Sequence, residues 1–180
     1  MALRHAAASA LALALGVGAP AAQGPQGPPK PGPEHKKLER FAGTWKGKGD
    51  MRPGPMGPGG AMSWTETCEW FEGGFHLVCR SEGTNPMGKI KGISILGYDA
   101  QKQKYTFYGA DNSGWSGYSL GTYDQAGKTW NFTSEESFGG KTMQGRFVIK
   151  EVSDKKQTFV WEMSDDGKTW ITMMEGESTK

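Results

Sequence analysis

The chain of 180 residues carries 21 basic and 19 acidic side chains, a formal net charge of +2, and 36% of it is hydrophobic. Such a length makes one domain with room for a real core. The near-neutral balance excludes a nucleic-acid binder, which needs a clustered and strongly basic face.

Residues 1–21 combine a basic start at Arg4, an apolar run over 6–17 and small residues at Ala19, Pro20 and Ala21. This three-part pattern predicts a secretory signal peptide cut near Ala21; the run is too short for a bilayer core, which takes roughly 20 apolar residues. The protein is therefore expected to be secreted or periplasmic, with no stable membrane insertion after cleavage. The stretch 22–33 is dense in Pro and Gly and has no apolar face to bury, so it is expected to be a disordered linker. Residues 34–180 remain for one domain.

Within 34–41, Leu38 and Phe41 share one side among charged neighbours, which predicts about two turns of helix, with Gly43 as the stop. From Trp45 onward the apolar period changes to two and turn residues recur about every ten positions, the pattern of an antiparallel meander. The predicted strands are 43–50, 61–71, 75–82, 89–98, 104–110, 115–123, 129–136, 142–152, 157–164 and 169–179. The fold class is all-β: about ten antiparallel strands in up-and-down order behind a short N-terminal helix. An open sheet of that size would expose two edges and an apolar face, so closure into a barrel is expected. Trp45 should enter its closed end, Leu38 and Phe41 should plug that end, and the protein should be a monomer.

A two-residue turn at Gly73-Gly74 pairs Glu72 with Phe75 and, four steps further out, Cys68 with Cys79. An even pair of cysteines in an exported chain reads as a disulfide, with two buried thiols as the alternative. The same alternation puts Trp64, Cys68, Trp70, Phe75, Leu77 and Cys79 on the inward face and His76 and Arg80 outside. Later stripes (Trp130/Phe132, Met143/Phe147/Ile149, Phe159/Trp161/Met163 and Trp170/Thr172/Met174) make the inward surface rich in aromatic rings and methionine. Trp64, Glu66, Trp70, Phe132, Phe147 and Trp161 are thus the candidate residues lining a ligand cavity.

Between the first two strands, 50–62 holds Met51, Pro53, Met56 and Met62 among glycines, and is expected to be a lid over the cavity mouth or else a plain surface loop. Met51 and Met56 are its candidate ligand contacts, because thioethers adapt to varied apolar partners. Their spacing fixes no copper(I) geometry, and no metal site is expected. Glu66 is the anomaly of the inward stripe. A buried carboxyl requires a partner or a raised pKa, so it reads as a ligand-polarising group, as a general acid, or as a rim carboxylate reaching water. Glu135/Glu136 and Asp165/Asp166 fall at strand ends or loops and are expected to be solvated.

Gly43-Thr44-Trp45, with Trp70-Phe71-Glu72-Gly73-Gly74-Phe75, Gly92-Ile93-Ser94-Ile95-Leu96-Gly97-Tyr98-Asp99 and Gly121-Thr122-Tyr123-Asp124, resembles DUF1579 over residues 34–180. That is a secreted bacterial family of unknown function placed among the lipocalin-like calycins. The resemblance implies a calycin barrel and no particular activity. The related nitrobindins hold haem through a histidine near the chain's end, whereas the last histidine here is His76, on the outer face. Lipocalins pack a basic residue of the last strand on the signature tryptophan, and the final strand here offers only Lys180, at its extreme end.

Gly117-Tyr118-Ser119-Leu120-Gly121 matches Gly-x-Ser-x-Gly, but that motif requires a strand-to-helix elbow and a later histidine, and neither follows. Its glycines instead read as places where a barrel strand bends. The three Gly-Lys-Thr triplets lack the earlier glycine of a phosphate loop. The expectation is an exported barrel holding a small hydrophobic or amphipathic ligand, with no catalytic residue, cofactor or metal. The alternatives are a structural or protein-binding envelope module with a filled barrel, and a cofactor-free enzyme using Glu66.

Overall fold

The computed structural model describes residues 29–180 except Pro55, Met56 and Gly139. The signal segment, most of the linker and Met56 therefore lie outside the described residues. A short helix, α1 (Pro33–Lys37), begins with proline at its first turn, where the missing N–H costs nothing. It runs into a 3-10 turn, Leu38–Phe41, whose Leu38 and Phe41 are buried.

Ten strands follow: β1 (Gly43–Met51), β2 (Gly60–Trp70), β3 (Leu77–Asn85), β4 (Gly88–Asp99), β5 (Lys104–Asp111), β6 (Ser116–Asp124), β7 (Thr129–Phe138), β8 (Lys141–Ser153), β9 (Lys156–Ser164) and β10 (Ile171–Thr179). Each pairs antiparallel with its sequence neighbours, and β1 pairs with β10 to close the barrel. Closure removes both sheet edges and puts the apolar stripe inside. No helix among the described residues is long and apolar enough to cross a membrane.

The closed end is a packed plug. Trp45 is 1% exposed and Leu38 is fully buried, and both belong to the buried core of this protein. The Phe41 ring meets Trp130 edge-on, and Trp130 in turn meets Tyr105 and Tyr123. Trp45 Nε1 donates to the Phe41 carbonyl at 3.1 Å, so the indole carries its polar atom into the plug satisfied. Two cations flank the same indole: the Arg40 guanidinium carbon at 5.0 Å and Lys180 Nζ at 4.9 Å from the ring centre. Terminal as it is, Lys180 thus takes the position of the lipocalin basic residue.

Cys68 and Cys79 are directly opposite in the β2–β3 register and form a disulfide, with Cα atoms 3.9 Å apart. The connecting turn is longer than two residues: Phe71 N–H bonds the His76 carbonyl, and Gly73 and Gly74 both have positive φ. The register survives because Trp70 still faces Leu77. At the opposite end, the β1–β2 loop is shorter than expected, since Met51 and Met62 lie within strands. Met51 is buried and pairs with Met174. A bulge in β10 turns both Met173 and Met174 toward Trp161 and Met163, making this side of the open end a soft thioether wall. Asp166 secures the β9–β10 turn by accepting backbone N–H bonds from Thr169 and Lys168, which hold its carboxyl down to about 2.

Candidate functional site: the lumen and the seam between β6 and β7

Glycines in the wall determine where aromatic rings can lie. A Cβ at Gly47 would stand 2.1 Å from Trp64, and one at Gly121 2.5 Å from Phe132, so these rings lie flat against bare backbone. Trp64 meets Phe159 edge-on at 5.5 Å, and Phe159 stacks on Phe147 at 5.4 Å. Phe147 also touches the cluster of Trp161, Met163 and Met173. Four of the predicted lining residues, Trp64, Phe132, Phe147 and Trp161, therefore do line the interior. Trp70 stands apart at the closed end, where its Nε1 donates to Glu39 at 2.6 Å.

Glu66 lies in the same interior. In register it faces Trp45 on β1 and Ser81 on β3, well inside the barrel rather than at its rim. Its carboxylate lies within 4.8 Å of the sulfurs of Cys68 and Cys79. Those sulfurs are bonded to each other, so neither is the thiolate a metal would need, and the trio does not fit a metal ion. Among the described residues Glu66 has no ionic or hydrogen-bonding partner, and burial alone pushes its pKa up to about 7. Although enclosed by the barrel, Glu66 keeps intermediate accessible surface, as do the inward-pointing Trp64 and Phe147. A carboxyl turned inward without a donor needs water or a ligand as its partner.

The wall has one break. β6 and β7 pair over only five positions, from Leu120↔Thr133 to Asp124↔Thr129. Beyond these, Ser116 is paired through β5 and Ser134 through β8, but they are not paired with each other. An open cleft of about 950 Å³ occupies this seam, at the upper end of the size range of small-molecule sites. It lies at the same end of the barrel as the β1–β2 loop but diametrically across the ring of strands.

The cleft lies between the parted strands, so residues of both faces border it. Tyr118, Glu135 and Trp170 contribute from outside, and Gly117, Ser134 and Glu136 from inside. Trp115 guards the inner side. Gly109 and Gly117 face each other across β5 and β6, and Cβ atoms on them would stand 2.9 and 2.7 Å from its indole. The ring therefore lies on a glycine floor with 40% of the residue exposed. On the opposite side Ser134 and Glu136 lean over Gly145, and the Ser134 hydroxyl donates to Glu136 at 2.8 Å. Glu136 is buried, contrary to the expectation that both members of the Glu135/Glu136 pair are solvated: consecutive residues of a strand face opposite ways, and Glu136 is opposite the inward Met143. Trp170, expected on an inward stripe, lies instead on the outer side, because it precedes β10 and the bulge after Thr172 breaks the alternation; there it is stacked by Arg146, 4.1 Å away, which is paired with Glu162 at 2.6 Å.

Alternation alone reveals neither Trp115 nor Glu136 as a site residue. The available signal was the pair Gly109 and Gly117, falling opposite each other beside a tryptophan. The two histidines among the described residues lie elsewhere: His35 packs edge-on against Phe75 and Tyr98, and exposed His76 lies over Gly97 on the outer face. Gly117 and Gly121 of the Gly-x-Ser-x-Gly stretch make room for rings and form no nucleophile elbow.

A closed ten-stranded antiparallel barrel, plugged by a short helix and carrying a basic residue against its first tryptophan, is a calycin-like barrel. Residues 30–180 match the family described as "Protein of unknown function (DUF1579)", and the chain belongs to it. No curated protein matches the sequence. Among solved structures the chain is similar to Rv2717c from M. tuberculosis at 15% identity, covering 83% of this chain and 98% of that one with a TM-score of 0.60. It is also similar to the S-type phycobiliprotein lyase CPES from Guillardia theta at 12% identity, covering 81% and 90% with a TM-score of 0.50. At these identities the likeness is one of fold.

Proposed function

We propose that this protein is an extracytoplasmic binding protein whose barrel takes a small amphipathic ligand through the β6–β7 seam and sets the ligand's polar group against Glu66. The observation that carries the reading is Glu66 itself: among the described residues an unpartnered carboxyl on the inward face of the barrel, opposite Trp45 and in the same stripe as Trp64. Burying such a group without a partner is costly, and a ligand that supplies one recovers that cost. The signal-like pattern of residues 1–21 and the Cys68–Cys79 bond support a place outside the cytoplasm. Native mass spectrometry of protein purified from its own host, followed by solvent extraction, tests the reading. A discrete adduct lost on extraction and absent from Glu66→Gln is expected; an interior with no adduct and no uptake of added amphiphiles would remove it.

A second reading, a protein-binding envelope module, is favoured by one outer feature. Ile95, Tyr108 and Tyr118 are each exposed and form a row across β4, β5 and β6, with Ile93 beside them. Sedimentation equilibrium before and after Tyr108→Lys separates the readings: association abolished by that change supports the module, and a monomer in both supports the ligand binder.

A further inference from the structure

We propose that the ligand is a small organic cation: an ammonium or guanidinium group carried on an apolar or aromatic body. This rests on the reading that a ligand enters the barrel through the β6–β7 seam. Three carboxylates bear on the charge of such a ligand. Glu135 lines the cleft on the outer face, Glu136 on the inner face, and Glu66 stands in the lumen on the far wall. Glu135 and Glu136 are adjacent in β7, so they flank the two mouths of the opening.

No lysine, arginine or histidine is among the described residues lining the cleft. Arg146, on the outer side against the lining Trp170, is already committed to Glu162. Glu136 is buried with a single neutral donor, the Ser134 hydroxyl, and Glu66 has no donor among the described residues. Two inward carboxylates, one bordering the cleft and one in the lumen, thus lack a positive partner among the described residues. The aromatic lining points the same way. Trp115 and Tyr118 keep exposed ring surface at the cleft, and the face of an aromatic ring is the negative pole of its quadrupole.

The other ligand classes fit less well. An anion would be repelled at each of the three carboxylates. A purely apolar molecule would cover them and leave them unsatisfied. A neutral polyol could donate hydrogen bonds, but would balance no charge. Only a cation both neutralises the carboxylates and lies favourably on the rings.

Three nearly isosteric probes test the class by calorimetry at pH 8: 4-phenylbutylamine, 4-phenylbutanol and 4-phenylbutyrate, each titrated into the full barrel domain. The amine is expected to bind at least tenfold more tightly than the alcohol, the acid should give no detectable heat, and the amine's affinity should fall with added salt. Glu136→Gln, and independently the exposed Glu135→Gln, should each weaken the amine severalfold and leave the alcohol unchanged; the surface change keeps the test decisive if the buried one fails to fold. Equal affinity for amine and alcohol, or preference for the acid, overturns the cation assignment while leaving a ligand-binding barrel in place. No binding of any of the three overturns both.

Discussion

The ammonium of Lys180 lies 4.9 Å from the centre of the Trp45 ring, joining the last residue of the chain to the first inward residue of the barrel. Arg40 approaches the same ring at 5.0 Å, and its guanidinium also bonds the carbonyls of Asp154 and Lys156 in the β8–β9 turn. The helical plug, the first strand, the last strand and a hairpin therefore meet at one indole.

Lys180→Ala should cost about 1 kcal/mol, the scale of a partly shielded cation–π contact, and Arg40→Ala should cost more because it also loses two carbonyl partners. Urea denaturation of the two variants and their double mutant gives the test. Strict additivity would show that the cations do not share the indole.

Glu66 gives the protein a definite pH signature. Its carboxyl has a pKa of about 7 in the folded barrel and an ordinary carboxylate value when unfolded. The folded state therefore holds the proton more tightly. Between about pH 4.5 and 7 unfolding releases a proton, and stability falls as the pH rises through that window. The groups facing Glu66, namely Trp45, Ser81 and the disulfide, have no charge to offset this. Glu66→Gln should thus match the parent near pH 4.5 and exceed it by ~1–3 kcal/mol at pH 8. A variant destabilised equally at both pH values would mean that the carboxylate has a partner in the fold.

The disulfide should hold β2 to β3 against opening of the closed end. Titration of the denatured, unreduced protein should find no thiol, and reduction should lower stability by about 3 kcal/mol, the scale for closing a loop of this length. Equal denaturation midpoints with and without reductant would refute that contribution.

Gly117 leaves no room for a side chain under Trp115, so Gly117→Val should lift the indole from the wall at a cost of about 1–3 kcal/mol, as overpacking does. Acrylamide should then quench the displaced Trp115 differently, a change absent when Gly117→Val is made on a Trp115→Phe background. Identical quenching in both backgrounds would show that the ring does not rest there.

The strand order, the plug and the disulfide were legible because each follows from local rules: period-two alternation, and a hairpin whose register carries from Trp70↔Leu77 to Cys68↔Cys79. Lys180 was legible as a candidate but not as a contact, since nothing in its position says that the chain end turns onto Trp45. The seam was hidden for a different reason. β6 and β7 keep the same alternation through their paired and unpaired halves, so their divergence leaves no trace in the pattern. Glu66 was visible as an inward carboxyl, but its depth became clear only once β1 and β3 enclosed it.

The plug also sets a polarity for the whole molecule. Pro31 packs against Gly74 in the β2–β3 turn, and Lys180 ends on Trp45, so both ends of the described chain emerge at the closed pole. Whatever is joined before Pro31 or after Lys180, be it a tag, a fusion partner or a surface attachment, holds the barrel from behind and turns its seam outward. Immobilisation through either terminus should therefore leave the cleft accessible to ligands arriving from solution.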